Sequence, residues 1–366
     1  MKRIAFILGS MGRGGAERVI SILSRSYAER GYQTDIIVLL SGEVGYKLHE
    51  TTRVLDFSGK RQSRMKRLPY WFKSIRGYYK EYKPDVVVSF AARINVIVKM
   101  ALIGLKANLI VSERNDPRHD GRSRFVDMMT KRIYPKVAAV VFQTERAKSY
   151  FPKLNNSRII PNPIVCSCLA ENENPSKVVS VGRLTAQKNQ KMLINAFSKV
   201  VEENPEAFLE IYGSGEMEGE LKRQIKELNL IEKVFLRGNV DDVHFRIKDS
   251  AVFCLSSDYE GLSNALLEAL AMGIPCVSTN CAGADEYITN GENGFIVSTG
   301  DEEGIAKSIS TLLNDASMRK AFSERGMNES VNFLLPNVIE KWDSLILREG
   351  ESNEQGFKNA YEADSR

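Results

Sequence analysis

Asp258-Tyr259-Glu260-Gly261-Leu262-Ser263-Asn264-Ala265-Leu266-Leu267-Glu268 follows the apolar run Ala251–Leu255 and decides how the rest of the chain is read. A short apolar run that ends in a polar loop predicts a buried strand. The loop delivers Glu260, and a helix that begins near Ser263 carries Glu268 about a turn and a half in. The first amides of a helix lack intrahelical acceptors and can hold a phosphate. Two carboxylates would repel phosphate, but they accept hydrogen bonds from sugar hydroxyls. A phosphate at the helix start flanked by acids is what a sugar nucleotide requires. The bland alternative is an exposed loop acid and a solvated helical glutamate.

Outward from this stretch, apolar runs and helical segments alternate along the chain. In the second half Val178–Val181, Phe208–Tyr212, Val234–Leu236, Val252–Leu255 and Cys276–Thr279 read as strands. Helices are expected over Gln190–Glu202, Leu221–Leu228 and Leu262–Met272, the last stopped by Gly273 with Pro275 beyond. In the first half the strands are Arg3–Leu8, Asp35–Leu40, Val86–Phe90, Leu109–Val111 and Val137–Phe142, and Glu17–Glu29 is a helix stopped by Gly31. Short apolar strands alternating with helices predict an α/β protein with two domains, each a parallel sheet covered on both faces. Pro161-Asn162-Pro163 interrupts the alternation and Ser167–Ser176 is polar, so the linker is expected here, between a domain over residues 1–165 and one over 172–335. Residues 352–366 form a polar tail with too little apolar content to pack.

A second motif, Gly182-Arg183-Leu184-Thr185-Ala186-Gln187-Lys188-Asn189, follows the first strand of the second domain. Its Arg183 and Lys188 flank a turn that leads into a helix, and fixed cations neutralise the charge growing on a departing diphosphate without a metal. A third, Gly9-Ser10-Met11-Gly12-Arg13-Gly14-Gly15, lies between the first strand and first helix, where glycines let backbone approach an anion. It fits neither G-x-G-x-x-G nor G-K-[ST], which argues against a nicotinamide dinucleotide site and against a P-loop.

Read together, E-x7-E at Glu260 and Glu268 and the wording G-R-L-x-x-x-K-N resemble the family 4 retaining glycosyltransferases. The resemblance covers most of residues 1–345 and is most specific over 178–297. It implies a GT-B fold, two Rossmann-like domains with parallel sheets facing across a cleft, with a late helix at 336–347 returning to the first domain. It assigns Glu260 to the donor sugar, Glu268 to the ribose hydroxyls, and Arg183 and Lys188 to the leaving diphosphate. It places Gly14 and Gly15, the strand-end turns at Gly213 and Asn239, and the helix start Leu262-Ser263-Asn264 near the donor. Many relatives carry a His after the fourth strand of the first domain. Here the stretch reads Ser112-Glu113-Arg114-Asn115-Asp116-Pro117, so Glu113, Arg114 and Asn115 become the acceptor-side candidates. This wording resembles a bacterial exopolysaccharide and O-antigen branch.

The chain has five cysteines and three histidines with no ligand spacing, and Asp241-Asp242 reads as loop acidity rather than D-x-D, so neither a metal nor another cofactor is expected. No stretch reaches the roughly 18 uninterrupted apolar residues of a membrane span, and Ile4–Leu8 is too short for a signal peptide, which predicts a cytoplasmic protein. Charge is split: residues 1–165 carry 31 Lys and Arg against 13 Asp and Glu, the remainder 20 against 33. Lys60–Lys83 holds nine bases interleaved with Tyr70, Trp71, Phe72, Tyr78, Tyr79 and Tyr82. Such a segment suits the headgroups of an anionic bilayer, or else is a helix whose aromatics face the core. No nucleic-acid motif accompanies it, so a nucleic-acid partner is not expected.

The expectation is a retaining transfer of a hexose or N-acetylhexosamine, most simply from a UDP-sugar, to a lipid-linked saccharide at the inner face of the cell membrane. A soluble glycosyltransferase acting on a free sugar or polymer, and a non-catalytic nucleotide-sugar-binding protein, remain open at this point.

Overall fold

The computed structural model describes residues 2–12, 14–59, 63, 66–171, 173–281 and 283–347. Lys60, Arg61, Arg64 and the tail 352–366 lie outside the described residues. The chain divides into two compact units, one running to Pro163 and resuming at Pro336, the other Ile164–Leu335.

In the first unit the strands are β1 (Arg3–Met11), β2 (Gln33–Val44), β3 (Arg53–Asp56), β4 (Val86–Phe90), β5 (Leu109–Ser112), β6 (Ala139–Phe142) and β7 (Ser157–Ile159). They pair in parallel in the order β3-β2-β1-β4-β5-β6-β7. The helices are α1 (Gly15–Glu29), α2 (Arg67–Tyr82), α3 (Ala92–Ala101), α4 (Arg124–Ile133) and α5 (Glu145–Ser149). In the second unit the strands are β8 (Asn174–Val181), β9 (Phe208–Tyr212), β10 (Val234–Gly238), β11 (Ser250–Leu255), β12 (Cys276–Thr279) and β13 (Gly294–Val297), all parallel in the order β10-β9-β8-β11-β12-β13. Its helices are α6 (Gln190–Glu203), α7 (Glu218–Glu227), α8 (Val243–Ile247), α9 (Asn264–Met272), α10 (Glu302–Asn314) and α11 (Ala316–Ser330). A last helix, α12 (Leu335–Ile346), belongs from Pro336 onward to the first unit.

The apolar runs are uninterrupted because both faces of each strand are covered. On β8, Val178 packs with Leu193, Phe197 and Leu209 on one side of the sheet, and Val179 with Leu266 and Leu270 on the other. On β11, Val252 and Cys254 take the first side and Phe253 and Leu255 the second. Successive side chains alternate across a strand, so each hydrophobic residue finds a helix. α12 is anchored in the first unit by buried Val338, Ile339 and Trp342. Its Asp343 accepts from Tyr27 Oη at 3.0 Å and from Arg30 at 2.9 Å.

Two expectations change. The polar stretch after Pro163 is not a loose linker. Ala170 donates its amide to Met272 and Glu171 to Lys248, Cys166 and Cys168 pack against the second unit's core, and β8 already begins at Asn174. The edge strands β3 and β7, and β13 at the end of the second sheet, were not anticipated. β3 and β7 are short and half polar, because an edge strand has only one neighbour to satisfy.

Candidate active site

In the second sheet β8 and β11 are neighbours, yet the chain leaves them in opposite directions, towards β9 and towards β12. Such a reversal leaves a crevice at the carboxyl ends of the two strands, where open α/β sheets bind ligands. The turn after β8 carries Arg183 and Lys188, and the loop after β11 carries Glu260.

Lys188 Nζ lies 2.5 Å from Glu260 Oε1, with the two side chains 14% and 10% exposed. Ser257 Oγ donates to the same Oε1 at 2.9 Å. The two loops are bound together along their length. Gln187 Nε2 donates to the Tyr259 carbonyl at 2.9 Å, Asp258 N to the Gln187 carbonyl at 2.9 Å, and Asn189 Nδ2 to Asp258 Oδ1 at 2.8 Å. Ser256 Oγ donates to the Lys188 carbonyl at 2.9 Å. Thr279 Oγ1, at the end of β12, donates to the Ser257 carbonyl at 2.6 Å. The acid and the base are therefore presented on one rigid platform. Nearby, burial and then the Glu260 charge push the Cys281 thiol up to about 11, so this cysteine is a thiol at neutral pH.

Arg183 is exposed on the same turn, and its guanidinium has no partner among the described residues. The turn is seated on the neighbouring strand end by backbone contact. Gly182 N donates to the Tyr212 carbonyl at 2.9 Å and Leu184 N to that of Ser214 at 3.0 Å. A Cβ on Gly213, at φ +141°, would fall 1.9 Å from the Gly182 carbonyl oxygen, so this position admits only glycine. Asn239 is exposed at the end of β10 and its Nδ2 donates to Ser214 Oγ at 2.7 Å.

Helix α9 begins where the sequence indicates. Ser263 caps it, accepting the Leu266 amide, and Gly273 ends it at φ +84°. Leu262 is buried against Ile164, Leu267 and Phe333, so it could meet a ligand only through its backbone, while Asn264 is half-buried. Glu268 is 4% exposed, and its Oε2 lies 3.2 Å from Nε2 of His244 on α8. No motif marks His244. It is a lone histidine 24 positions from its partner, and only the fold brings the two together.

In the first unit Gly14 caps α1 in extended conformation, accepting a hydrogen bond from Tyr46 Oη at 3.1 Å, and Gly15 opens the helix. Of the three residues after β5, Glu113 turns inward. It is 2% exposed and engaged by Arg122 at 2.8 Å and by Tyr134. Burial pushes its carboxyl up, against the opposing Arg122 charge. Glu113 therefore braces the loop rather than facing an incoming molecule. Arg114 stacks over Phe90, 4.5 Å from the ring centre, and donates to Asn162 at 2.8 Å. Its Nε and Nη2 are buried without hydrogen-bond partners, and burial pushes its guanidinium down to about 9. Asn115 Oδ1 accepts the Asp116 amide at 3.0 Å.

The basic segment is corrected in one respect. In α2 Ile75 and Tyr78 are buried, and Trp71, Phe72, Tyr79 and Tyr82 pack against the core. The aromatics thus face inward, and the lysines, with Leu68, face out. A basic-apolar surface that the sequence did not reveal lies instead on α4, where Phe125 is 58% and Met128 48% exposed beside Arg124, Lys131 and Arg132. Among the described residues no helix is long and apolar enough to cross a membrane, and no three His, Cys, Asp or Glu side chains group to hold a metal.

Comparison with known proteins agrees with the fold. Residues 13–167 match the family described as Glycosyltransferase Family 4, and residues 168–329 match Glycosyl transferases group 1. The chain is 28% identical over 361 residues to a Campylobacter jejuni alpha-1,4-N-acetyl-D-galactosaminyltransferase acting on a GalNAc-containing diNAcBac-PP-undecaprenol, covering 94% of this chain and 98% of that one. It is 25% identical over 362 residues to the amylovoran biosynthesis glycosyltransferase AmsD of Erwinia amylovora, covering 94% and 99%. Among solved structures, Anabaena HepE in complex with UDP superposes with a TM-score of 0.80 at 18% identity, covering 94% of this chain and 99% of that one.

Proposed function

Because the chain belongs to the family 4 glycosyltransferases of GT-B fold, we propose that it transfers a hexose or N-acetylhexosamine, with retention, from a UDP-sugar to a lipid-linked saccharide during assembly of a bacterial surface polysaccharide. The observation that carries the reading is the Lys188–Glu260 pair at the switch point of the second sheet. When the donor enters, Glu260 exchanges its lysine for the hydroxyls of the sugar, and Lys188 turns to the diphosphate with Arg183. The charge that builds on the leaving diphosphate is then met by two cations and the first amides of α9. Glu268 takes the ribose hydroxyls. Gly213, Asn239 and the Leu262–Asn264 backbone border the donor. Arg114 and Asn115 are the acceptor-side contacts. No metal or other cofactor takes part, and no covalent intermediate is assigned.

The lipid-linked acceptor is supported by the undecaprenol-linked substrate in the name of the Campylobacter relative and by the basic-apolar face of α4. The protein then works peripherally on the cytoplasmic face of the membrane. The test is incubation of the purified protein with nucleotide sugars and a diphospho-undecaprenol-linked saccharide, with product analysis by NMR. An α-linked product from an α-linked donor supports the reading. A β-linked product overturns retention, and donor consumption only with a free sugar overturns the lipid-linked acceptor.

A further inference from the structure

We infer that His244 is a positioning residue that orients Glu268 for the ribose diol of the donor; this rests on the reading of Glu268 given above. His244 is 6% exposed on α8, and its two ring nitrogens have different partners. Nδ1 lies 3.2 Å from the backbone amide of Ser167 and 3.3 Å from Ser167 Oγ. An amide N–H can only donate, so Nδ1 must present its lone pair. In the neutral imidazole the proton is then on Nε2, which points at Glu268 Oε2 across 3.2 Å. Ser167 thus selects the tautomer, and the tautomer makes His244 a donor to the carboxylate.

Lys188 meets Glu260 as an ion pair, whereas His244, accepting at Nδ1, offers Glu268 a single directed N–H. A carboxylate so fixed keeps its strength as an acceptor for two adjacent hydroxyls, and its plane is set before the nucleotide arrives. The segment Cys166–Ser167 contributes again through Cys166 Sγ, 3.9 Å from the Glu268 carbonyl. The chain immediately after the boundary at Pro163 is therefore part of the support beneath the ribose site.

The test measures equilibrium binding of UDP, GDP and ADP and of their 2′-deoxy counterparts to the full-length protein and to His244→Leu, His244→Asn and His244→Gln. The glutamine amide can reach where Nε2 stands, whereas the shorter asparagine and the apolar leucine cannot. We expect the wild type to prefer the ribonucleotide. In His244→Leu and His244→Asn that preference shrinks by about tenfold, the loss of one hydrogen bond involving a charged group, because 2′-deoxy binding, which keeps only the 3′-hydroxyl, weakens less. His244→Gln restores the preference, which a merely structural role would not do. A preference that persists in folded His244→Asn overturns the role of His244 and leaves Glu268 standing. A wild type that binds both sugars equally, or no nucleotide, overturns the ribose reading of Glu268 and this inference with it.

Discussion

Lys188 Nζ and Glu260 Oε1 are 2.5 Å apart although they lie 72 positions apart in sequence, on the turns that follow two neighbouring strands. Each is thus the resting partner of the other, and removing one releases a largely buried charge. Lys188→Ala and Glu260→Gln should each lower kcat by about 10²–10³, or roughly 3–4 kcal/mol, with a smaller loss of donor affinity. Residues in direct contact do not act additively. The double variant should therefore lose clearly less than the product of the single effects, measured under saturating donor. Additive losses would mean that the pair does not act as a unit.

Activity should survive EDTA. Arg183, Lys188 and the start of α9 supply positive potential at the proposed diphosphate position without a metal. Turnover abolished by chelation and restored by manganese or magnesium would contradict this leaving-group chemistry.

Gly213→Ala should reduce stability and donor affinity together. The new methyl group would sit 1.9 Å from the Gly182 carbonyl, and the φ of +141° is foreign to alanine. Relief of that clash must move the turn that bears Arg183. A cost of about 1–3 kcal/mol is expected from backbone strain alone, read as a lowered Tm in the unliganded protein. An unchanged Tm with unchanged donor binding would remove the argument for this close approach.

Glu113 and Arg122 should behave asymmetrically. Arg122→Ala leaves a buried carboxylate without its cation and should destabilise by about 3–5 kcal/mol. Glu113→Gln keeps the shape, removes the charge and should cost less. The raised Glu113 carboxyl gives the sign with pH: the folded state holds this proton more tightly than the unfolded chain, so the group's contribution falls as pH rises through the carboxylate range. Chemical denaturation at two pH values checks both statements. Equal losses for the two variants would contradict a bracing role.

Vesicle binding should depend on α4. Phe125→Ser with Met128→Ser should weaken binding to anionic vesicles even in high salt, because that contribution is apolar. Arg124→Ser with Arg132→Ser should cost about 2 kcal/mol at physiological ionic strength and less in high salt. Trp71→Ser, packed on the core, should instead lower stability by about 3 kcal/mol. Co-sedimentation at two salt concentrations decides. Wild-type protein left in the supernatant with anionic vesicles at low salt would favour a soluble acceptor.

The fold was legible because parallel strands covered on both faces are unbroken apolar runs, such as Val86–Phe90 and Ala251–Leu255, and because Gly273 and Pro275 punctuate them. What stayed hidden depended on the third dimension. β3 and β7 are edge strands without an apolar signature. Trp71 and Tyr79 look the same in sequence whether they face lipid or core, and only the packing of α2 distinguishes the two. The spacing of Glu260 and Glu268 pointed to the proposed site, yet nothing local predicts that Glu260 pairs with Lys188, 72 positions away, or that His244 stands behind Glu268. Glu113 is a further case, since an acid beside Arg114 and Asn115 carries no mark that it turns inward.

The central claim, that the second unit binds a nucleotide sugar through Lys188, Glu260 and Glu268, is tested most directly by thermal unfolding against a panel of nucleotide sugars. A ligand that binds only the native state stabilises it by about 2.7 kcal/mol at a hundred times its Kd. The account predicts that one or a few nucleotide sugars raise the Tm of the wild type, and that the same ligands fail to raise it in a folded Lys188→Ala, Glu260→Gln, Glu268→Gln variant. Equal stabilisation of both proteins, or no stabilisation of the wild type by any nucleotide sugar, would contradict it.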